Sequence, residues 1–275
     1  MSKKINAILF VLLYIVMYFI SLLLSIIARP VSDAVLMLIN GEHNLYRLSE
    51  HFIYQIQGQA IDVTNVYFTS MVLTVLLIWF IINSRKKSMS DYVHKRRLSF
   101  KDILACMLLA YGLNVVATVV ISIPAFEDFL PSYESSMESI SMGNVYALLI
   151  IVGILAPAFE ELFFRGFIYG ELKFGGGFLF ANIIQSVLFG FMHLNVIQGI
   201  YAAIIGFVLG FVYYKTENIY LTILTHIIFN ASNILVSGLF YYAQNFPLYY
   251  LSGIVTLIIA FMLIFNKRQL DNNLS

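Results

Sequence analysis

Residues 145–168 read VYALLIIVGILAPAFEELFFRGFI. Positions 145–159 carry no charge, and then Glu160, Glu161 and Arg165 arrive while the run stays apolar. A helix crossing the hydrocarbon core needs about 20 mostly apolar residues, and this run is long enough. A charge at the bilayer centre costs from about 3 kcal/mol upward, so three ionisable groups in such a run need a reason.

Working outward, the whole chain has the same character. Of its 275 residues 60% are hydrophobic and only 11% charged, where a soluble domain carries about a quarter charged. Eight runs have the length and composition of spans: Ile5 to Ile27, Val66 to Ile82, Ile103 to Ile123, Val145 to Ile168, Phe178 to Met192, Gly199 to Tyr214, Ile219 to Leu235 and Tyr249 to Phe265. The fold expected is an all-α integral membrane protein of about eight transmembrane helices. Residues 1–144 form an N-terminal part of three spans, with a long outer loop and a basic cytoplasmic loop. Residues 145–275 form a five-span part that carries the polar motifs. The first run is too long for a signal-peptide core of about 7–15 residues and reads as a retained helix.

Charge placement gives an orientation. With the N-terminus inside, Lys3, Lys4, Arg85, Lys86, Lys87, Lys95, Arg96, Arg97, Lys101, Lys173, Lys215, Lys267 and Arg268 fall on the cytoplasmic side. The outer segments hold only Arg29 and Arg47, as the positive-inside rule requires. Both termini are then cytoplasmic and the bilayer is the main partner. No basic stripe with interleaved aromatics points to nucleic acid. The long outer loop from Ala28 to Asn65 contains Glu42-His43 and Glu50-His51. It reads as a solvated loop with an interfacial helix rather than a metal site. The lone cysteine, Cys106, reads as a small buried hydrophobe.

Polar exceptions to the clean spans are expected in three places. Glu161 and Arg165 are four apart and share a helix face, acid first, the better orientation for an ion pair. Glu160 is turned about 100° from them. Alone, the two acids fit a helix end at headgroup level just as well. Phe189 and His193 share a face at the end of the fifth run. His226 and Asn230 share a face in the seventh, with Thr222 one turn earlier. Isolated, these would be interfacial or helix-gluing residues. Converging from three helices, they form a polar pocket inside the membrane, and intramembrane ionisable groups that converge mark a functional site.

No nucleophile accompanies them: a Gly-x-Ser-x-Gly elbow is absent, and nothing marks Ser186 as activated. A carboxylate can serve as general base toward water, with a histidine sharing the proton. Neutral donors can hold a developing oxyanion. The competing chemistry is zinc held by Glu160, His193 and His226 with one position open for water.

Together, Glu160-Glu161-x-x-x-Arg165, Phe189-x-x-x-His193 and His226-x-x-x-Asn230 resemble the signature of the CAAX protease and bacteriocin-processing (CPBP, or Abi) family of intramembrane peptidases. The resemblance covers roughly Leu148 to Ser237. It implies an all-helical membrane fold with an internal polar cavity and hydrolysis of a peptide bond in a membrane peptide or protein. It assigns Glu160 and His193 to water activation, His226 and Asn230 to the oxyanion hole, and Glu161, Arg165 and Phe189 to support. It implies no cofactor in the metal-free version of the mechanism, with zinc as the alternative. Roles in bacteriocin immunity, peptide-signal maturation or CAAX-like processing come with the family. The Tyr- and Ile-rich composition looks bacterial, which places the protein in a cell membrane and argues against prenylated substrates. A transporter or a non-catalytic membrane partner would also place polar groups in spans.

The rise per residue poses a difficulty. If the fourth run ends at Ile168 and the fifth starts at Phe178, Glu160 lies about 12 Å from the cytoplasmic end, while His193 lies near the outer end. The fifth span must then be tilted, short or ended inside the bilayer. Shared work on one water requires His193 within about 10 Å of Glu160.

Overall fold

The computed structural model describes residues 3–56, 71–76, 79–80, 83, 93–141 and 144–272. These residues are helical or in connecting turns, with no strand among them. Five helices in this set are long and apolar enough to cross a membrane. The chain is therefore an all-α, multi-pass membrane protein. Most of the expected second span, Val66 to Ile82, lies outside the described residues, although 71–76 are helical.

Two compact units are present, one of Met1–Val11 with Ser88–Ser275 and one of Leu12–Lys87. In the smaller unit, helix α1 (Lys3–Ile39, which begins in the larger unit) runs past the expected end of its span, with Pro30 inside it. The expected outer loop thus starts later than Ala28. It turns at Gly41, whose φ of 91° suits a residue without Cβ, and re-enters helix as α2 (Leu45–Ile56). Glu42 pairs with Arg47 at 3.3 Å and His51 faces Asp33 at 3.8 Å. These carboxylates and histidines make local contacts, in keeping with the reading of a solvated segment.

The larger unit holds the described helices from Phe100 onward. Helix α3 (Phe100–Ile121) starts at a capping box in which Ser99 and Asp102 satisfy each other's backbone N–H groups. Its Ala105, Cys106, Leu109, Ala110 and Leu113 are buried. They pack against α7 (Ile219–Ala243) and α8 (Pro247–Asn272). Cys106 lies 3.5 Å from the Leu221 carbonyl, a small hydrophobe with a weak donor, as expected. A 3-10 turn (Pro124–Phe129) and α4 (Leu130–Ser141) follow α3. The segment before α3 is tied to the start of α7: Arg96 N–H donates to Asn218 Oδ1 at 3.1 Å, and Ile219 N–H to the His94 carbonyl at 3.0 Å.

The decisive element is α5, a helical run of 47 residues from Val145 to Phe191. Two π segments, Ile151–Leu155 and Leu162–Ile168, flank the turn Ala156–Glu161. At Gly177 the backbone leaves the helical region (φ 78°, ψ −176°), and the chain folds back on itself. The fourth and fifth expected spans are the two arms of this run. Each ends at Gly177 rather than in a loop from 169 to 177. Helix α6 (Val196–Thr216) then packs along the second arm. The expected end of the seventh span at Leu235 coincides with a break in α7 at Val236 (φ −133°, ψ 21°).

Candidate active site

The reversal at Gly177 resolves the difficulty over His193. Glu160 and His193 lie 17 and 16 positions from Gly177, or about 25 Å and 24 Å along the two arms at about 1.5 Å per residue. They are therefore level with one another. The first arm continues past Ile168, so Glu160 is much farther from the turn than a helix ending there would put it.

Arg165 and Glu161 are fully buried. Their i,i+4 pair closes at 2.9 Å between Nη1 and Oε1. This is a charge contact off the hydrogen-bond axis, since Nη1 has no hydrogen-bond partner by geometry. The directed bond of Arg165 goes from Nη2 to the Gly206 carbonyl, at 3.1 Å. Its guanidinium also lies over the Phe189 ring, 4.7 Å from the centroid. A cation placed so is attracted by the ring's quadrupole. A Cβ at Gly206 would come within 3.0 Å of Phe189 Cδ1 and 3.5 Å of Arg165 Nη2, so α6 must be bare there.

The same Glu161 oxygen, Oε1, lies 2.9 Å from His226 Nδ1. A carboxylate only accepts, so Nδ1 carries the proton and Nε2 is left to act elsewhere. That Nε2 faces Glu160, with Oε2 at 3.6 Å. One imidazole thus stands between two adjacent carboxylates, pinned by one and presenting its other nitrogen to the second. His193 is held by comparable logic. Its Nδ1 donates to the Phe189 carbonyl at 2.8 Å, again leaving Nε2 available. Phe189 packs edge-on against both histidines, 4.9 Å from the His193 ring and 5.7 Å from the His226 ring. His193 is within electrostatic reach of both Glu160 and His226.

Asn230 is one turn beyond His226, but its amide is engaged. Nδ2 donates to the Val152 carbonyl at 3.0 Å, on the first π segment. The structure therefore gathers Glu160, Glu161, Arg165, Phe189, His193 and His226 in one cluster, and it fixes Asn230 to the backbone of α5 beside it.

Other buried polar residues belong to the scaffold. Gln185 Nε2 donates to Asn182 Oδ1 at 2.8 Å and approaches the Gly206 carbonyl at 3.0 Å. Asn182 Nδ2 donates to the Phe207 carbonyl at 3.1 Å. The Ser186 hydroxyl donates to the Asn182 carbonyl at 2.6 Å, a helix-internal bond with no base beside it. On α3, Asn114 bonds Ser232 at 3.0 Å and Asn233 at 2.6 Å. The third and fifth runs are thus less clean than the sequence reading expected. Asn114, Asn182 and Gln185 were overlooked there, although a single amide inside an apolar run is the signal for an interhelical hydrogen bond. Among the described residues no group of three or more His, Cys, Asp and Glu side chains is arranged to hold a metal ion.

Comparison with known proteins gives a consistent answer over this region. Residues 142–232 match the family model described as Type II CAAX prenyl endopeptidase Rce1-like. All three polar motifs lie inside the match. The chain is also similar to "Putative membrane peptidase YdiL" of Bacillus subtilis (strain 168), 33% identical over 84 residues. That alignment covers 30% of this chain and 34% of the length of the relative. No solved structure matches the chain.

Proposed function

Starting from a membrane protein whose residues 142–232 match the Rce1-like family model, we propose that it is an intramembrane endopeptidase that cleaves a membrane-associated peptide or protein with activated water. The observation that carries this reading is the 3.6 Å separation between Glu160 Oε2 and His226 Nε2, with His226 Nδ1 pinned to Glu161. Two acceptors facing each other at that distance favour a water or a proton between them. That is the arrangement of a general base with its partner.

In the proposed reaction Glu160 takes a proton from the water as its oxygen attacks the scissile carbonyl carbon. The proton is shared with His226 Nε2, and the imidazolium so formed is stabilised by Glu161 through Nδ1. His193 Nε2 helps to hold the water. The tetrahedral oxyanion is met by the N–H of protonated His226 and by the second amide hydrogen of Asn230. The C–N bond breaks as the leaving nitrogen takes the proton, giving a free amine and a carboxylic acid that releases its own proton to solvent. Arg165 offsets the charge of Glu161 across their 2.9 Å contact. We place the protein in a bacterial cell membrane with both termini cytoplasmic, in keeping with the placement of Lys and Arg. Bacteriocin immunity, peptide-signal maturation and CAAX-like processing are the settings that fit.

A zinc-dependent version has one observation in its favour. Two ligands on a tetrahedral zinc at about 2.0 Å are about 3.3 Å apart, close to the Glu160–His226 spacing of 3.6 Å. His193, whose Nε2 is the open ring nitrogen, would have to move inward to complete the set, because no three such side chains among the described residues are arranged to hold a metal ion. The experiment is cleavage of a quenched-fluorescent library of peptides, each with one apolar segment, by purified protein in nanodiscs. Turnover that survives exhaustive chelation with no zinc bound supports the metal-free reaction. Turnover restored only by added zinc supports the metal version, and absence of any cleavage counts against peptidase function.

A further inference from the structure

The resemblance gives Asn230 to the oxyanion hole, but its main-chain contact points to an additional task. In the first π segment the Ala156 N–H bonds to the Ile151 carbonyl, five residues back. That takes away the donor an α-helix would supply to Val152, four residues on. The donor a π-helix would supply, five residues on, is residue 157, and Pro157 has no N–H. The Val152 carbonyl is left without its main-chain donors of either helical type. Asn230 Nδ2 fills the gap from α7 at 3.0 Å.

This contact matters for the acids. A π segment adds one residue to a turn, so everything beyond it is rotated by about 100° relative to an uninterrupted α-helix. Glu160 follows the bulge by only five positions. With the bulge lost, the face now held by Glu160 would pass to Phe159. We infer that Asn230 is a positioning residue: by capping the Val152 carbonyl that Pro157 leaves open, it holds the widened turn that aims Glu160 at His226. The cap rests on geometry alone. Its importance for turnover rests on the peptidase reading.

A double-mutant cycle tests it. Pro157→Ala restores an N–H five residues after Val152, so the carbonyl no longer depends on α7. Asn230→Ala in the wild-type background should lower the Tm of the detergent-purified protein by about 4 °C, the consequence of stranding one buried carbonyl. In the Pro157→Ala background the same change should cost less than about 1 °C. Turnover of the quenched peptide library should fall further in Asn230→Ala than in the double variant, which regains the widened turn but still lacks the amide donor to the oxyanion. Equal Tm losses in both backgrounds would overturn the cap. Coupled Tm values with turnover no higher in the double variant than in Asn230→Ala would overturn the positioning role and leave Asn230 only as a donor to the oxyanion. If the wild type cleaves nothing, the peptidase reading fails, while the Tm cycle still decides the cap.

Discussion

Arg165 and Phe189 stand 12 residues on either side of Gly177 and touch, the guanidinium lying 4.7 Å from the ring centroid. This contact fixes the register of the two arms of α5. Register, in turn, brings Glu160 on one arm level with His193 on the other. The site is thus assembled by a helical hairpin and closed by α7, which supplies His226.

Gly177 should be hard to replace. At φ 78° and ψ −176° the backbone lies in a region essentially reserved for glycine, and a Cβ there costs about 1–3 kcal/mol. Gly177→Ala and Gly177→Asn should both lower the unfolding free energy in detergent by about that amount, because the tolerance of asparagine for positive φ is confined to the left-handed helical region. No loss in either variant would mean that the backbone relaxes away from this conformation.

The pair of Glu161 and Arg165 should be costly to break and cheap to remove together. Each is fully buried, so Arg165→Met leaves a buried carboxylate with one cation fewer and should cost about 3–5 kcal/mol. Glu161→Gln with Arg165→Met should recover most of that loss, since the Gln carbonyl can still accept from His226 Nδ1. Chemical denaturation of both variants in one detergent provides the comparison.

Gly206→Ala should damage function more than folding. The added methyl would stand 3.0 Å from Phe189 Cδ1 and 3.5 Å from the Arg165 guanidinium. Overpacking of this kind costs about 1–3 kcal/mol, and it falls on the two side chains that align the arms. The expected outcome is a folded protein, by thermal melting, with library turnover reduced at least about tenfold. Unchanged turnover would show that the Phe189 ring can shift freely.

Much of this was legible in the sequence, for physical reasons that differ by residue. The i,i+4 spacing of Glu161 and Arg165 and of His226 and Asn230 follows from helical periodicity, and the all-helical membrane class follows from apolar run length. The depth of His193 was not legible, because the run was assumed to end at Ile168. The signal lay in Gly175-Gly176-Gly177, where glycine permits the conformation that reverses the chain. The bond from Asn230 to Val152 was hidden for a different reason. It depends on a π segment, a one-residue irregularity that hydrophobic periodicity does not reveal, although Pro157 hinted at a missing donor. Asn114, Asn182 and Gln185 were visible as letters but were outweighed by the apolar residues around them.

The most direct test of the account is turnover by Glu160→Gln in the quenched-peptide assay. The substitution keeps size and hydrogen-bonding shape and removes the base. If Glu160 activates water, kcat should fall by about 10²–10⁴-fold, while the Tm and the binding of peptide stay close to wild type. A kcat within about threefold of wild type, in protein shown to be folded, would contradict the account.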